Sequence, residues 1–284
     1  MQASRLVGMS LASPDTARPA TWWHDAVIYQ IYPRSFADSN GTGLGDLPGI
    51  ITRLPQLKDL GVDAIWLSPF YPSPQRDAGY DVANYTDVDS AFGTLADAEK
   101  LITTAHELGL RTIVDIVPNH SSSDHPWFQE AVASAPGSPA RARYIFRDGL
   151  GPDGDLPPNN WESVFGGPAW TRVTEADGTP GQWYLHLFDS SQPDFDWTNQ
   201  DVWDHFDAVL RFWLDRGVDG FRVDVAHSMM KAAGLPDLTD EERNDRSPQA
   251  AKPFWDQEAV HDVYRHWNAI LAEYGDDRIL CAEA

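Results

Sequence analysis

Cysteine is almost absent from this chain: Cys281 is the only one in 284 residues. No internal disulfide can form, which excludes the small disulfide-stapled secreted scaffolds and is compatible with a reducing compartment. Positive charge is scarce as well. Lys and Arg total 21 against 43 Asp and Glu, a formal net charge of −22, and a field of that sign repels nucleic acid and anionic membrane surfaces. Neither is expected as a partner; a neutral small molecule is. Long apolar runs are missing too, since no stretch approaches the ~18 consecutive apolar residues of a membrane-spanning helix. Residues 1–21 hold two arginines, two prolines and only a short apolar patch at 6–11, too weak for a secretory leader. They read as a flexible lead-in, and the protein as cytoplasmic. Oligomeric state is not legible in any of this. What the chain has in quantity is aromatic surface: twelve Trp, nine Tyr and twelve Phe in a sequence that is 42% hydrophobic. Most of these rings are assigned to a thick core, with some left to wall a pocket that stacks on sugar rings or other flat apolar faces.

The elements alternate. AVIYQIYP (26–33) reads as a buried strand, and after a glycine-rich loop GIITRLPQLKDLG (49–61) has helical spacing ending on a stop glycine. AIWLSP (64–69) is a second strand, LADAEKLITTAHELG (95–109) a second helix and RTIVDIVPNH (111–120) a third strand. Continuously apolar strands alternating with helices predict a parallel sheet covered on both faces. Residues 121–197 break the rhythm with Pro, Gly, Asp and Trp clusters such as GPDGDLPPNNW, and read as a loop-rich inserted subdomain. The rhythm resumes with a helix at 201–217, strand GFRVDVAH (220–227), a helix at 259–275 and a fifth strand, RILCAEA (278–284). Alternation alone fits either a doubly wound sheet or a barrel. Five β units with a long insertion after the third suit the α/β (β/α)8 TIM barrel better, truncated here after its fifth strand. The divisions expected are 22–120 and 198–284 for the barrel and 121–197 for the insertion.

Polar residues gather where these strands end. In GFRVDVAH the period of two puts Phe221, Val223 and Val225 on one face and Arg222, Asp224 and Ala226 on the other. Arg222 and Asp224 alone are compatible with a structural ion pair. In company with Asp115, Asn119 and His120 at the end of the third strand and Glu283 at the end of the fifth, they suggest the catalytic end of a barrel. Two carboxylates suit glycoside hydrolysis, one attacking the anomeric carbon and one protonating the leaving oxygen. Arg222 is expected to hold Asp224 ionised as a nucleophile, and an apolar setting around Glu283 to keep it protonated as an acid.

DIVPNH (115–120), QPDFDW (192–197), GFRVDVAH (220–227) and the Glu of CAEA, with GVDAIWLSP (61–69) and GYDVANY (79–85) between them, are the residues that carry a resemblance. The sequence resembles the α-amylase family of glycoside hydrolases, in its α-glucosidase and oligo-1,6-glucosidase branch, from Trp22 onward. That resemblance implies Asp224 as nucleophile, Glu283 as acid/base, and Arg222, His120, Asp81 and Tyr80 at the sugar before the cleaved bond. His227 reads equally as a ligand contact or a support, and Phe165 of FGGPAW as a pocket wall or local packing. Asp81 and Tyr80 after Gly79 also fit turn residues, and His120 a core histidine.

DSNGTGLGD (38–46) sets oxygens at Asp38, Asn40, Thr42 and Asp46, a spacing that can wrap Ca²⁺ with the Leu44 carbonyl as a further ligand. The same loop fits a βα turn held by Asx hydrogen bonds. Relatives resembling this chain often have Asp where Thr42 stands, so the resemblance implies a weakened calcium site. No organic cofactor is expected.

The resemblance implies a retaining hydrolase that releases glucose from the non-reducing end of short α-glucosides, with possible transglycosylation. Within that branch valine at 225 leans towards α-1,6 linkages, and the choice between α-1,4 and α-1,6 stays open. The alternatives are a trehalose synthase or sucrose isomerase, or a non-catalytic barrel scaffold. The family's third carboxylate, on a seventh strand, would lie past residue 284, so these residues alone are expected to be inactive.

Overall fold

The computed structural model describes residues 22–175, 177–245, 247 and 252–283; the lead-in at 1–21 lies outside them. The first apolar run forms β1 (Ile28–Ile31), shorter than the segment read from sequence. Four more strands lie parallel to it: β2 (Ala64–Leu67), β3 (Arg111–Ile116), β7 (Gly220–Val223) and β8 (Ile279–Ala282), in the order β1-β2-β3-β7-β8. The sheet is therefore the predicted parallel one, with its five strands open at both edges rather than closed into a barrel.

Edge position shows in the burial. Every residue of β7 is buried, whereas Val27 and Tyr29 beside and on β1 are 57% and 36% exposed, and Cys281 and Ala282 on β8 are exposed.

Helices cover the sheet because their caps and apolar stripes agree. In α2 (Leu47–Leu60) the Asp46 side chain accepts from the Gly49 N–H at the start, and Gly61 ends the helix at φ 91°. In α3 (Leu95–Glu107) Thr94 and Asp97 form a reciprocal capping box. Along α5 (Gln200–Leu214), Val202, Phe206, Val209, Leu210, Trp213 and Leu214 recur at helical spacing on one buried face. Its partner α7 (Val260–Ala272) buries Val263, Trp267 and Ile270 in the same core. At the N-terminal end of the sheet, buried Asp219 accepts from the Thr112 N–H at 2.8 Å and from Arg111 at 2.6 Å, locking β7 to β3. Burial would raise that carboxyl, but His106, Thr112 and Arg111 together hold it below its ordinary range.

Between β3 and α5 the sequence shows no period, yet the chain builds a second sheet: β4 (Phe146–Arg147), β5 (Trp170–Thr174) and β6 (Pro180–Leu185), antiparallel in the order β4-β6-β5. These strands escape a sequence reading because β4 has two residues, β6 opens on Pro-Gly and the β5–β6 register shifts between Arg172 and Thr174. Trp161, Trp170, Leu185 and Phe254 form a separate apolar cluster that pins this region to the loop after β7. The Trp161 indole N–H donates to the Pro236 carbonyl at 2.9 Å.

Two histidines are sealed where this region meets α5. His125 Nδ1 accepts from the Trp127 N–H at 3.1 Å, so that nitrogen must be unprotonated. The rings of His125 and His205 lie 5.7 Å apart, with Arg143 over Trp127 beside them. Burial, then the neighbouring positive charges, push His125 down to about 3 and His205 to about 4, from 6.5. Because the folded values lie below the unfolded one, the unfolded chain takes up protons first as pH falls. Stability is thus full above about 6.5 and is lost down to about pH 3–4, at up to about 1.4 kcal/mol per pH unit for each ring. Urea midpoints measured from pH 7 to 4 should fall steeply and flatten in His205→Phe; an unchanged slope in that variant would remove the pair as the cause.

Candidate active site

Strand register sets Arg222 between two neighbours, opposite Asp115 on β3 and Cys281 on β8. Its guanidinium gathers three carboxylates. Nη1 donates to Asp224 Oδ1 at 2.6 Å and to the two Asp115 oxygens at 3.0 and 3.1 Å, while Nη2 meets Glu283 Oε2 at 2.7 Å. Trp66 and Tyr80 hold the group in place, with ring centroids 5.0 and 5.7 Å from the guanidinium carbon. The Trp66 N–H and the Tyr80 hydroxyl donate in turn to Asp115 Oδ2, at 3.1 and 3.2 Å.

One cation cannot neutralise three carboxylates, two of them buried. Burial pushes Asp115 up to about 7 although Arg222, Trp66 and Tyr80 pull it down. Asp224 is driven well above the usual carboxylate range by burial and then by Asp115, with Arg222 opposing. The two titrate as a coupled pair. This corrects the expectation that Arg222 holds Asp224 ionised: Asp115 competes for the same guanidinium.

The strand itself is shorter than read. β7 stops at Val223, so the face pattern does not continue to Val225 and Ala226. Val225 turns into the left-handed region at φ 46°, a conformation that costs a β-branched residue about 1–3 kcal/mol. There its N–H donates to Glu283 Oε2 at 3.1 Å. The apolar setting expected around Glu283 is not found: its side chain is half exposed and bound to Arg222, because β8 is an edge strand.

Of the other residues singled out, Tyr80 and His120 lie at the site. His120 is buried, packs on Phe188 at 5.1 Å, and is pushed by burial down to about 4, so it acts as a neutral hydrogen-bonding group. Asp81 is near enough to influence His120, but its oxygens accept from Ser73 Oγ and from the Arg76 and Asp77 N–H groups at 2.8 to 3.1 Å, which makes it an organiser of the 73–81 loop. His227 packs on Trp255, the ring centroids 4.6 Å apart and the planes tilted by 46°, beside Glu283. Phe165 stands at the rim, 59% exposed, its ring meeting Phe188 edge-on at 5.6 Å. Trp66, Gln192 and Lys231 escape a reading of the sequence: Trp66 donates to Asp115, Gln192 meets His120, and Lys231 reaches the site one step removed, through Asn119. Asp115 is already among the polar strand-end residues read from sequence; what the sequence does not show is that it shares the Arg222 guanidinium.

The 38–46 loop satisfies itself. Asp38 accepts the N–H groups of Asn40, Gly41 and Gly43; Asn40 and Thr42 accept those of Thr42 and Leu44; Asp46 caps α2 and binds Ser39. These hydrogen bonds account for the loop's shape.

A family model described as alpha amylase, catalytic domain, matches residues 30–284. A probable alpha-glucosidase of Rhizobium meliloti is 51% identical over 263 residues, covering 91% of this chain and 46% of the relative. An oligo-1,6-glucosidase of Parageobacillus thermoglucosidasius is 44% identical over 254 residues, with 89% and 44% covered. Among solved structures, the trehalulose synthase of Pseudomonas mesoacidophila superposes with a TM-score of 0.84 at 40% identity, over 94% of this chain and 46% of that one. The chain spans about half the length of the relatives it matches.

Proposed function

Since the chain belongs to the α-amylase family, through its catalytic domain, we propose that it forms the first part of a retaining α-glucosidase acting on short α-glucosides. The observation that carries this reading is the bridging of Asp224 and Glu283 by a single guanidinium. A separation set by the width of one such group suits the close-set pair of retaining enzymes, about 5–5.5 Å, rather than the 6.5–9.5 Å of inverting ones.

Asp224 attacks the anomeric carbon as Glu283 gives a proton to the departing oxygen, leaving a glucosyl-aspartate. Water then adds to that carbon, returning a proton to Glu283 and freeing Asp224. A sugar hydroxyl in place of water gives transglycosylation. Arg222 fixes both carboxylates, while Tyr80 and His120 contact the glucosyl ring and Phe165 and His227 border it.

The open edges at β1 and β8 support reading the sheet as five units of an eight-stranded barrel, with 22–120 and 198–284 in it and 121–197 inserted. The relatives' remaining length would supply the closure and the third carboxylate. The test is release of p-nitrophenol from its α-D-glucoside by the 284-residue chain beside a form extended to the relatives' length. Release by the extended form alone supports the reading; release by neither favours a scaffold or another glycosyl specificity.

The trehalulose synthase likeness gives the second reading, isomerisation. Sucrose converted to an isomeric disaccharide rather than to glucose and fructose would establish it. Calcium in loop 38–46 rests on the resemblance, not on the loop's hydrogen bonds. If it binds, millimolar Ca²⁺ should raise Tm by a few degrees (about 1 kcal/mol) and a chelator should reverse this; no shift would leave the loop self-supported.

A further inference from the structure

Lys231 has no part in the chemistry above, yet its side chain is more deeply buried than those of Arg222 and Asp224, each 10% exposed. Its side chain is 3% exposed, and its ammonium meets Asp194 Oδ2 at 3.0 Å, Asn119 Oδ1 at 2.7 Å, Ser228 Oγ at 3.3 Å and the Ser228 carbonyl. A buried ion pair of this kind is weak evidence of stability, because desolvation offsets much of its attraction. What it does without substitute is orient an amide.

An ammonium donates and cannot accept, so Asn119 must turn Oδ1 towards Lys231 and Nδ2 away from it. Nδ2 then faces His120 Nδ1, at 3.1 Å. That amide nitrogen also only donates, so Nδ1 must present its lone pair. A neutral imidazole has one lone pair and one N–H, which leaves the proton on Nε2. The far side of the ring meets an acceptor and a donor. The Tyr80 backbone lies close enough to favour a ring N–H; the Tyr80 N–H donates to the Asp77 carbonyl at 2.9 Å, and the Asp77 carboxylate accepts from Gln192 Nε2 at 2.8 Å. Gln192 Nε2 in turn stands 3.1 Å from His120 Nε2, its own oxygen taken by the Asp189 N–H at 3.0 Å. Two donors thus confront one another at Nε2, a contact that an entering hydroxyl, able to accept from both, would relieve.

We propose that Lys231 is a positioning residue: acting through Asn119, it fixes His120 as the Nε2–H tautomer, so that the ring donates to a hydroxyl of the bound sugar. The sugar part of this statement rests on the glycosidase reading; the tautomer does not.

The test is the two-bond ¹H–¹⁵N spectrum of ring-labelled protein without substrate, His120 being assigned from its loss in His120→Gln. Wild type should show an Nε2–H pattern. Asn119→Asp keeps a carboxylate for Lys231 but offers His120 an acceptor, and should switch it to Nδ1–H; Lys231→Met, if it folds, should leave the ring without a single tautomer. Nδ1–H in wild type, or Nε2–H persisting in Asn119→Asp, overturns the proposal. With monodeoxy aryl glucosides, Asn119→Asp should lower kcat/KM about tenfold for the parent and not for the analogue lacking the contacted hydroxyl; an equal loss on every analogue refutes the sugar contact. The expected tautomers in a protein with no glycosidase activity would uphold Lys231's role and refute the glycosidase reading instead.

Discussion

Asp224→Ala in the active form of the enzyme is expected to lower kcat by on the order of 10⁴- to 10⁶-fold, the scale seen when a covalent nucleophile is deleted, while sugar binding changes little. The structure gives reason for that split. Arg222 keeps Asp115 and Glu283 as partners when Asp224 is gone, so no buried charge is stranded and the site should survive. The pH profile carries the second half of the prediction. Asp224 attacks only when ionised, and burial with the nearby Asp115 lifts its titration well above the usual carboxylate range. Activity should therefore be lost early as pH falls, with the acid limb of kcat/KM displaced above the usual carboxylate range. Asp115→Asn removes the like charge and should move that limb to lower pH. Kinetics on an aryl α-glucoside and calorimetric binding decide the matter: tight dependence of Kd, and not kcat, on Asp224 would make it a binding residue in a scaffold.

Much of this site was legible because barrel-type chemistry is written at strand ends. Arg222, Asp224 and Glu283 close apolar runs whose alternation with helices already implied a parallel sheet, and the structure brings all three together. What could not be read depends on register. Nothing in RTIVDIV says that Asp115 will stand opposite Arg222; that follows from the pairing of Ile113 with Gly220. The same holds for Lys231, a lone lysine after an apolar stretch, whose partners Asn119 and Asp194 are distant in sequence. The antiparallel sheet β4-β6-β5 was missed for a different reason: its strands are too short and too interrupted to carry a period. Asp81 and Asp46 show the converse, where a motif residue is occupied locally, as a loop organiser and a helix cap.

Glu283→Gln separates the two roles asked of one side chain. Losing a positioned general acid should cost about 10²- to 10⁴-fold in kcat/KM on maltose or isomaltose, whose leaving oxygen needs a proton. The p-nitrophenyl glucoside, whose leaving group departs as an anion, should be far less affected in that first step. Its turnover should still slow, because in the proposed mechanism Glu283 also takes the proton from the attacking water; a glucosyl-enzyme should then accumulate and be released by azide, an anion that needs no base. The geometry makes the glutamine variant a fair probe. Glu283 Oε2 accepts from both Arg222 Nη2 and the Val225 N–H, and the amide oxygen of Gln can accept from the same two donors. A change confined to proton transfer is therefore expected, with Tm little altered. Equal losses on activated and unactivated glucosides, with no azide rescue, would show that Glu283 orients Arg222 rather than moving a proton, and the acid/base would have to be sought elsewhere.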